Sequence, residues 1–490
     1  MTDNATYDLW EAVIGLELHV QLNTKSKLFS PALNKFGDEP NVNISNICTA
    51  QPGTLPLLNK EAVKKAILFG LAIDANIAKV TTFDRKSYFY PDSPRNYQIT
   101  QFFKPIITNG VVKADVEGKS IEVIIKEAHL EDDSGMLKHF SNFAGVDFNR
   151  AGVPLLEIVS EPSMKSAKEA KAYAMAIKAI MEYIDASNCN MEEGSLRVDA
   201  NVSVRFKNEK ELRPKVEIKN MNSFSFLEMA IDHEIKRQIH LYDENPNTKH
   251  DQVIVSSTYR WDSTLKKTVL MRKKESAQDY RYFPEPDIPP LFISQDMINE
   301  IKKELPELPH ARFIRYVNSL KLSEYSASIL INDKKLCNYF EEALLHTKNA
   351  NLLCNILTIE LTGKLKAINK SVFTLNIPPI FIANIVNLID EKKINKKIAK
   401  SVIDDLIENP KLDPIEIVKN NPNYQPLDDV SEIEPIVDQV LKDNPSSIED
   451  YLNGKDKALA FLVGQVMKQT KGKASPQIVN DLILKKINKD

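Results

Sequence analysis

The stretch LWEAVIGLELHVQL, Leu9 to Leu22, decides the fold that this sequence predicts. Every second residue from position 10 is apolar, and side chains alternate between the two faces of a strand, so one face is fully apolar. That face carries Trp10, Ala12, Ile14, Leu16, Leu18, Val20 and Leu22. Glu17 and His19 point together from the opposite face. The strand alone leaves open whether that face is an ordinary solvated surface or a functional one.

The acidic run EAHLEDDSG, residues 127–135, repeats this arrangement further along the chain. It ends the strand-like stretch IEVIIKEAHLED, in which Glu127, His129 and Glu131 share one face. Asp132 and Asp133 follow, and alternation points only one of them to the side of Glu131. Carboxylates this close repel one another. The run therefore indicates either a solvated acidic turn or oxygens gathered around a cation.

Glu157 stands inside the apolar run of AGVPLLEIVSEP, residues 151–162. A carboxylate with such neighbours is expected to be at least half buried. Burying an unpaired charge costs several kcal/mol, so Glu157 requires a cation, a metal or a proton.

Two more stretches, SLRVDANVSVR and PKVEIKN, predict a hairpin whose second strand carries Glu217 and Lys219 on one face. Five strands thus offer polar side chains that could line one concave face of a sheet. Carboxylates with one imidazole suit Mg²⁺ or Mn²⁺, and such ions usually accompany phosphates.

Basic and aromatic residues interleave in FDRKSYFYPDSPRNYQITQ, residues 83–101, and in MRKKESAQDYRYFPEPD, residues 271–287. Such groups suit phosphate pairing and base stacking. The candidates for binding ATP phosphates here are Arg85, Lys86, Lys274 and Arg281. Loop packing and a plain solvated charge run are the alternatives.

Length, charge and composition limit the kinds of protein that this chain can be. The chain has 490 residues and a formal net charge of −3, which predicts several domains and excludes a chain-wide basic surface. The first residues lack a leader pattern and no apolar run is long enough to span a bilayer, so we expect a cytoplasmic protein without membrane contact. The four cysteines are far apart and fit a reducing compartment.

Several motifs are rejected. HEIKRQIH resembles a zinc-protease signature, but His233 and His240 are seven residues apart rather than four. EGKS, residues 117–120, lacks the leading glycine of a phosphate loop. No Cys/His or Ser/His/Asp signature of a glutaminase is present. If the protein uses ammonia, another polypeptide of its complex must release it.

Taken together and in order, several segments closely resemble the B subunits of the tRNA-dependent amidotransferases, which make Gln-tRNA and Asn-tRNA. The resemblance spans essentially the whole chain and rests on IGLELHVQL, PGTLPLLN, KSYFYPDSPRNYQITQ, AHLEDDSG, DFNRAGVPLLEIVSEP, GSLRVDANVSVR, VEIKNMNSF and DYRYFPEPDIPPL. The C-terminal stretch FLVGQVMKQTKGKASPQIVNDLI is similar to the tail of that family.

The resemblance implies an α+β fold: a glutamine-synthetase-like antiparallel-sheet cradle over residues 1–292, an all-helical domain over 293–412 and a small helical tail that binds tRNA over 413–490. It implies a heterotrimer with an amidase, the A subunit, which releases ammonia from glutamine, and with a small third polypeptide, the C subunit. The chain would use ATP and Mg²⁺ (Mn²⁺ is possible) to phosphorylate the side-chain carboxylate of Glu on mischarged tRNA(Gln), or of Asp on tRNA(Asn). Ammonia would then displace the phosphate.

Matching motif by motif, the resemblance assigns both catalysis and metal binding to Glu17, His19, Glu131, Glu157 and Glu217. Asp132 and Asp133 are weaker candidates. Lys219, Lys274 and Arg281 are candidates for phosphate, beside Arg85 and Lys86.

Two positions depart from the family pattern. The segment ICTAQPGTLP keeps only Cys48 where some members have a cysteine-rich zinc segment, so we expect no zinc. Lys273 stands where a small residue is usual, which puts phosphate contacts of that loop in doubt.

Two other functions compete with this one. The chain could be a non-catalytic tRNA-binding scaffold of the same complex, with structural acidic sites, but a buried Glu157 and five polar strand faces argue against that. It could also be a small-molecule amide ligase, for which the long helical half is unnecessary. That half instead favours a macromolecular substrate, to which a basic patch in the tail could bind; it comprises Lys468, Lys471 and Lys473.

Overall fold

The computed structural model describes residues 9–273, 279–424, 427, 430–470 and 473–487. The chain divides into two compact units, Met1–Arg312 and Phe313–Asp490. Residues 293–312 belong to the first unit, where Ile293 and Ile301 are buried in the same core as the sheet. The first unit therefore extends about twenty residues beyond the predicted cradle boundary at residue 292.

The first unit is mixed. Its strands are β1 (Trp10–Gln21), β2 (Asn76–Ile77), β3 (Val80–Thr81), β4 (Asp84–Ser87), β5 (Tyr97–Thr100), β6 (Ile107–Val116), β7 (Lys119–Asp132), β8 (Met136–His139), β9 (Ala144–Asp147), β10 (Pro154–Ser160), β11 (Leu196–Phe206), β12 (Val216–Lys219), β13 (Ser257–Asp262), β14 (Lys267–Lys273), β15 (Phe283–Pro284) and β16 (Leu291–Phe292). Its helices are α1 (Lys60–Ala72), α2 (Ala167–Tyr183), α3 (Phe224–Glu244), α4 (His250–Val253) and α5 (Gln295–Lys302).

A nine-stranded sheet forms the centre of this unit, in the order β14-β13-β12-β11-β1-β10-β7-β6-β2. Its pairs are antiparallel except for β12 with β13, which is parallel. The predicted antiparallel sheet is confirmed. A separate three-stranded sheet, β15-β4-β5, also lies in this unit.

The two helices α2 and α3 pack on each other, and α3 also packs on β11. Each begins at a serine whose hydroxyl accepts a backbone N–H of the first turn: Ser166 from Glu169, and Ser223 from Phe226. The apolar face of β1 is buried in the same core as these helices, as its alternation predicts, and Ile14, Leu16 and Leu18 are fully covered. The opposite face of β1, with Glu17 and His19, is left for other contacts.

The remainder is helical, as predicted. The helix α6 (Pro309–Asn318) crosses the division, and the helices after it are α7 (Glu324–Ile331), α8 (Lys334–Leu344), α9 (Ala350–Asn355), α10 (Thr362–Ala367), α11 (Pro379–Asp390), α12 (Lys396–Glu408), α13 (Pro414–Asn420), α14 (Val430–Asp443), α15 (Pro445–Leu452), α16 (Asp456–Gln469) and α17 (Pro476–Ile487). A π-helical turn, Ile356–Leu361, joins α9 to α10, and a 3₁₀ turn spans Pro422–Tyr424.

The end of the second unit has a core of its own, built only from residues between 427 and 487. Its fully covered members include Ile433, Val437, Leu462 and Ile483. The helix α13 lies outside that core and packs on α11 and α12. The predicted division between helical and tail domains stays a prediction.

Among the residues that the structure describes, no helix is long and apolar enough to cross a membrane.

Candidate active site

The register of four neighbouring strands places polar side chains in one row on the face of the sheet that carries Glu17 and His19 of β1. His19 lies opposite Glu157 of β10 on one side and opposite Arg197 of β11 on the other. Glu157 in turn lies opposite His129 of β7. Side chains of directly opposed residues point to the same face of the sheet. The polar residues that alternate along each strand therefore come together in one cluster.

Three side chains of this cluster converge closely. His19 Nε2 is 3.5 Å from an oxygen of Glu157 and 3.7 Å from an oxygen of Glu131. One ligand atom from each of the three residues lies within 4.8 Å of the other two. Glu157 is largely buried, as its apolar neighbours predict, and Glu131 is almost completely buried.

The ionisable groups of this cluster shift one another's pKa values. Burial, followed by repulsion from Glu157, raises the pKa of Glu131 above its usual range. Burial opposes ionisation of Glu157 too, but His129 and His19 outweigh it and hold the pKa of Glu157 well below its usual range. Burial alone would lower the pKa of His19, whereas Glu157 and Glu131 together raise it to about 9. Two carboxylates at this separation favour any added positive charge.

The donor set of the cluster fits a hard divalent cation. It offers two carboxylates and an imidazole, a combination that suits Mg²⁺ or Mn²⁺. The raised pKa of Glu131 also favours a cation at this place. A bound cation would offset the repulsion from Glu157 that contributes to the raised pKa.

Two cavities meet at this cluster. The first, of about 210 Å³, is lined by His19, Glu131 and Arg197 together with Lys86 and Tyr280. The second, of about 500 Å³, is also lined by His19 and Arg197, and by Asp199 and Lys219. The cluster therefore has room for substrate on two sides.

The predicted ligands Glu17 and Glu217 lie outside the group of three. An oxygen of Glu17 accepts a hydrogen bond of 2.9 Å from the Asn201 amide. Glu217 accepts one from the Thr258 hydroxyl and lies 3.1 Å from the Lys219 ammonium. The structure thus places both on the same sheet without bringing them into the cluster.

The weaker candidates Asp132 and Asp133 are held by arginines. Asp132 pairs with Arg95, and Asp133 lies 2.9 Å from Arg197. The Gln21 amide donates a further hydrogen bond of 3.0 Å to Asp133. Neither belongs to the group of three.

The predicted phosphate-binding cations differ in their surroundings. Lys86 lines the first cavity, and burial, which would lower its pKa, is outweighed by Glu131, Tyr282 and Glu157, which raise it. Lys219 is bound by Asp199 at 2.5 Å as well as by Glu217.

Arg85 and Arg281 line neither of the two cavities. The Arg85 guanidinium donates hydrogen bonds of 2.7 and 2.9 Å to the buried carboxylate of Glu285. It also contacts Asp287, so it is engaged in structural ion pairs. Arg281 is exposed. Lys274 lies outside the described residues.

Two residues at the cluster were not among the predicted site residues. His129 Nε2 lies 3.3 Å from an oxygen of Glu157, and Arg197 lines both cavities. His129 shares a strand face with Glu131, so alternation was the signal that could have identified it. Arg197 shares a predicted strand face with Asp199, but only the pairing of β11 with β1 shows that it lies beside His19.

Cys48 lies on the wall of the first cavity and is buried. Its thiol donates a hydrogen bond of 3.2 Å to the Ser30 hydroxyl. The expectation that the chain binds no zinc stays a prediction.

Comparisons with known proteins agree on one family. A family model described as the GatB/GatE catalytic domain matches residues 12–299, and one described as the GatB domain matches residues 338–487. The chain is 60% identical over 478 residues to the B subunit of the aspartyl/glutamyl-tRNA(Asn/Gln) amidotransferase of Protochlamydia amoebophila, covering 98% of this chain and 97% of the relative. It is 54% identical to the protein of that name from Chlamydia pneumoniae, covering 99% and 100%.

Proposed function

Because this chain belongs to the family of B subunits of aspartyl/glutamyl-tRNA(Asn/Gln) amidotransferases, we propose that its cavity activates a side-chain carboxylate on mischarged tRNA. ATP would phosphorylate the carboxylate of Glu on tRNA(Gln), or of Asp on tRNA(Asn). Ammonia would then displace phosphate and leave the amide. The chain would act within a ligase complex, together with the amidase and the small third polypeptide.

The difficulty of this reaction lies in charge. A carboxylate is a poor electrophile, and its negative charge repels both ATP and the incoming nucleophile. His19, Glu131 and Glu157 would hold Mg²⁺, which neutralises phosphate charge when it is bound. Glu131 is almost completely buried and Glu157 largely so, which limits competition from solvent for their oxygens.

Two cationic side chains beside the cluster would neutralise the phosphate and carboxylate charge that Mg²⁺ leaves. Lys86 and Arg197 both line the first cavity, on the wall shared with Glu131. Arg197 is fixed by Asp133, so it can orient a phosphoryl or carboxylate oxygen without moving. Lys86 would neutralise a second oxygen as a compact point charge.

We infer a glutamine-synthetase-like cradle for the first unit, with the nine-stranded sheet as its floor. A floor with a polar row on one face and a helical layer behind it supports this inference. The C-terminal helices with their own core would then hold the tRNA.

The convergence of His19, Glu131 and Glu157 in one cluster, of which His19 and Glu131 line the first cavity, is the observation that carries this function. We expect Glu157→Gln to keep the shape of the side chain and to remove the charge that holds the cation. Loss of that cation costs several kcal/mol of transition-state stabilisation, hence roughly 10³-fold or more in tRNA-dependent ATP cleavage. The measurement is ATP cleavage by the assembled complex with saturating mischarged tRNA.

Three controls separate activation from other steps. Glutamine hydrolysis by the amidase partner and tRNA binding should persist in Glu157→Gln, whereas transamidation from added ammonia should fail. Glu122→Gln, an exposed position of the same β7 strand, should behave like the wild type. Near-normal transamidation by Glu157→Gln from ammonia would remove Glu157 from the site and favour the non-catalytic scaffold.

A further inference from the structure

Four aromatic rings form a continuous row that starts at the first cavity. Tyr280 lines the cavity, and its ring centre is 6.0 Å from that of Tyr282. Tyr282 is stacked on Phe102, with ring centres 3.9 Å apart and an angle of 9° between the planes. Phe103 follows at 5.1 Å from Phe102 in an edge-to-face arrangement. The row thus leads from the wall of the candidate active site to the molecular surface.

The outer end of the row is exposed although the backbone beneath it is fixed. Phe102 and Phe103 are 54% and 57% exposed. Their backbone N–H groups both donate to one oxygen of the buried Asp84, at 2.9 and 3.0 Å. Rings presented to solvent on a fixed backbone lose little conformational freedom on binding, so the row is preorganised for a ligand.

Cations accompany the rings along their length. The Lys86 ammonium lies 5.0 Å from the centre of the Tyr280 ring. Arg281 is exposed between the two tyrosines in the chain, and Lys104 is exposed directly after the phenylalanines. Alternating aromatic rings and positive charges are typical of surfaces that bind single-stranded nucleic acid, since bases stack and phosphates pair.

We propose that this row, Tyr280, Tyr282, Phe102 and Phe103, seats the unpaired 3′-terminal nucleotides of the tRNA. The proposal rests on the proposed function, because there the reacting carboxylate is tethered to the terminal nucleoside through one amino acid. When that carboxylate reaches the cluster at His19 and Glu131, the nucleoside must lie at the edge of the first cavity. Tyr280 is at that edge. The rings that lead outward from Tyr280 would then contact the nucleotides that precede the 3′-terminal one.

The length of the row favours a strand over a single nucleotide. The adenine of ATP would occupy one or two rings, whereas successive bases of a single strand can use all four. The exposed charges of Arg281 and Lys104 would then pair with successive phosphodiesters rather than with a triphosphate that must enter the cavity.

The test compares intact, uncharged tRNA with the same tRNA lacking its unpaired 3′-terminal nucleotides, both bound to the assembled complex. The wild type should bind the intact form more tightly, by about 10-fold or more. In Phe102→Ala with Phe103→Ala, we expect affinity for the intact form to fall to that for the truncated form, with affinity for the truncated form unchanged. Phe102→Tyr should retain the preference, because it keeps the ring.

Phe140 and Phe143 provide a matched control. They are a second exposed and stacked pair, with ring centres 4.5 Å apart, in the turn that joins β8 to β9. Phe140→Ala with Phe143→Ala should leave the preference for intact tRNA as in the wild type.

Other results would overturn the proposal. An unchanged preference for intact tRNA in the Phe102 and Phe103 variant would exclude the row as the seat of the terminus. A raised KM for ATP with unchanged tRNA binding would show that the row seats adenine. Failure to assemble with the amidase partner would show that the row belongs to a protein–protein interface. Since binding needs no phosphoryl transfer, the comparison stands even if Glu157→Gln leaves ATP cleavage intact.

Discussion

Asp84 and Asp133 are both buried carboxylates, yet the fold compensates them differently. Asp133 is contacted by Arg197 and Arg150, which outweigh burial and lower its pKa. Asp84 accepts backbone N–H groups with one oxygen, while its other oxygen has no hydrogen-bond partner within the described parts of the chain. Burial raises the pKa of Asp84 despite those two N–H groups. Its charge therefore carries a cost of burial that the N–H groups of Phe102 and Phe103 only partly offset.

Substitutions at Asp84 should separate its charge from its hydrogen bonds. We expect Asp84→Ala to lower the free energy of unfolding by about 1–3 kcal/mol, because two partly buried N–H groups lose their acceptor. Asp84→Asn keeps an acceptor and removes the charge, so at neutral pH it should be much less destabilising than Asp84→Ala. Both tryptophans, Trp10 and Trp261, lie in the first unit, so denaturant unfolding followed by tryptophan fluorescence measures this effect there.

The pH dependence of the Asp84→Asn effect follows from the raised pKa of Asp84. A carboxyl whose pKa is higher in the folded state favours folding when protonated. That contribution is present below its ordinary pKa near 3.8 and is lost as the pH rises through its folded value. As the pH falls from neutral towards that ordinary value, the wild type should therefore gain stability relative to Asp84→Asn. A difference that stays constant over this range would contradict the raised pKa.

The candidate site was only partly predictable from residues alone. Alternation placed Glu17, His19 and Glu131 on strand faces, and the burial of Glu157 followed from its apolar neighbours. Alternation fixes which side a residue faces but not which residue of another strand lies opposite, and that register brought His129 into the cluster. For the same reason nothing local indicated that Arg85 pairs with Glu285, 200 residues away.

At the scale of elements, Arg213 connects three of them. Its guanidinium lies 4.8 Å from the ring centres of Trp10 in β1 and Phe206 in β11, and 4.7 Å from that of Tyr242 in α3. It also pairs with Glu209 at 2.7 Å. A buried cation enclosed by three rings stabilises the point where the first strand, its partner and the helix meet.

We expect Arg213→Ala to lower the free energy of unfolding of the first unit by about 2–4 kcal/mol, since it removes the cation–π contacts and leaves Glu209 without its partner. Arg213→Lys should recover only part of this, because an ammonium lacks the planar fork. Denaturant unfolding followed by tryptophan fluorescence provides the measurement. Arg260→Ala, at a more exposed ion pair with Asp262, should change it by less than about 0.5 kcal/mol. Equal effects at the two positions would exclude a special role for the enclosed arginine.

Strands and helices were easier to predict than the segments between them. The strands β1 and β7 and the helices α2 and α3 each combine one strong periodicity with a clear beginning. By contrast, residues 22–59 form no named strand or helix, and exposed apolar residues such as Phe36 and Leu57 follow no period. Periodicity reports a face packed on a core, so it does not describe a segment held by side-chain hydrogen bonds such as that of Asn34 to the Leu22 carbonyl.

At the scale of the whole chain, the C-terminal helices are expected to bind tRNA without taking part in activation. The structure places a suitable truncation after Tyr424 rather than near residue 410, because Pro414, Ile417 and Val418 of α13 are buried. Lys468, at the end of α16, is exposed, whereas the Lys473 ammonium donates to the Pro422 carbonyl at 3.2 Å. Lys471 lies outside the described residues.

Stopping the chain after Tyr424 should raise the tRNA concentration needed for half-maximal rate by about 10-fold or more, because a basic surface that pairs with phosphates is removed. The maximal rate of ATP cleavage should stay within about 2-fold, since no residue of the cluster is touched. Steady-state ATP cleavage with varied mischarged tRNA measures both quantities. A folded truncation with unchanged tRNA dependence would show that the tail does not bind tRNA.

The central position of β1 has a consequence for the nascent chain. This strand is made before its partners β10 and β11, which begin at Pro154 and Leu196. At ordinary rates of translation, β11 is complete about 10–40 s after β1 leaves the ribosome. During that interval β1 lacks at least one of its two neighbouring strands, while the β6–β7 hairpin can already close. The first strand of the central sheet therefore stays unpaired on at least one edge until the middle of the chain has been made.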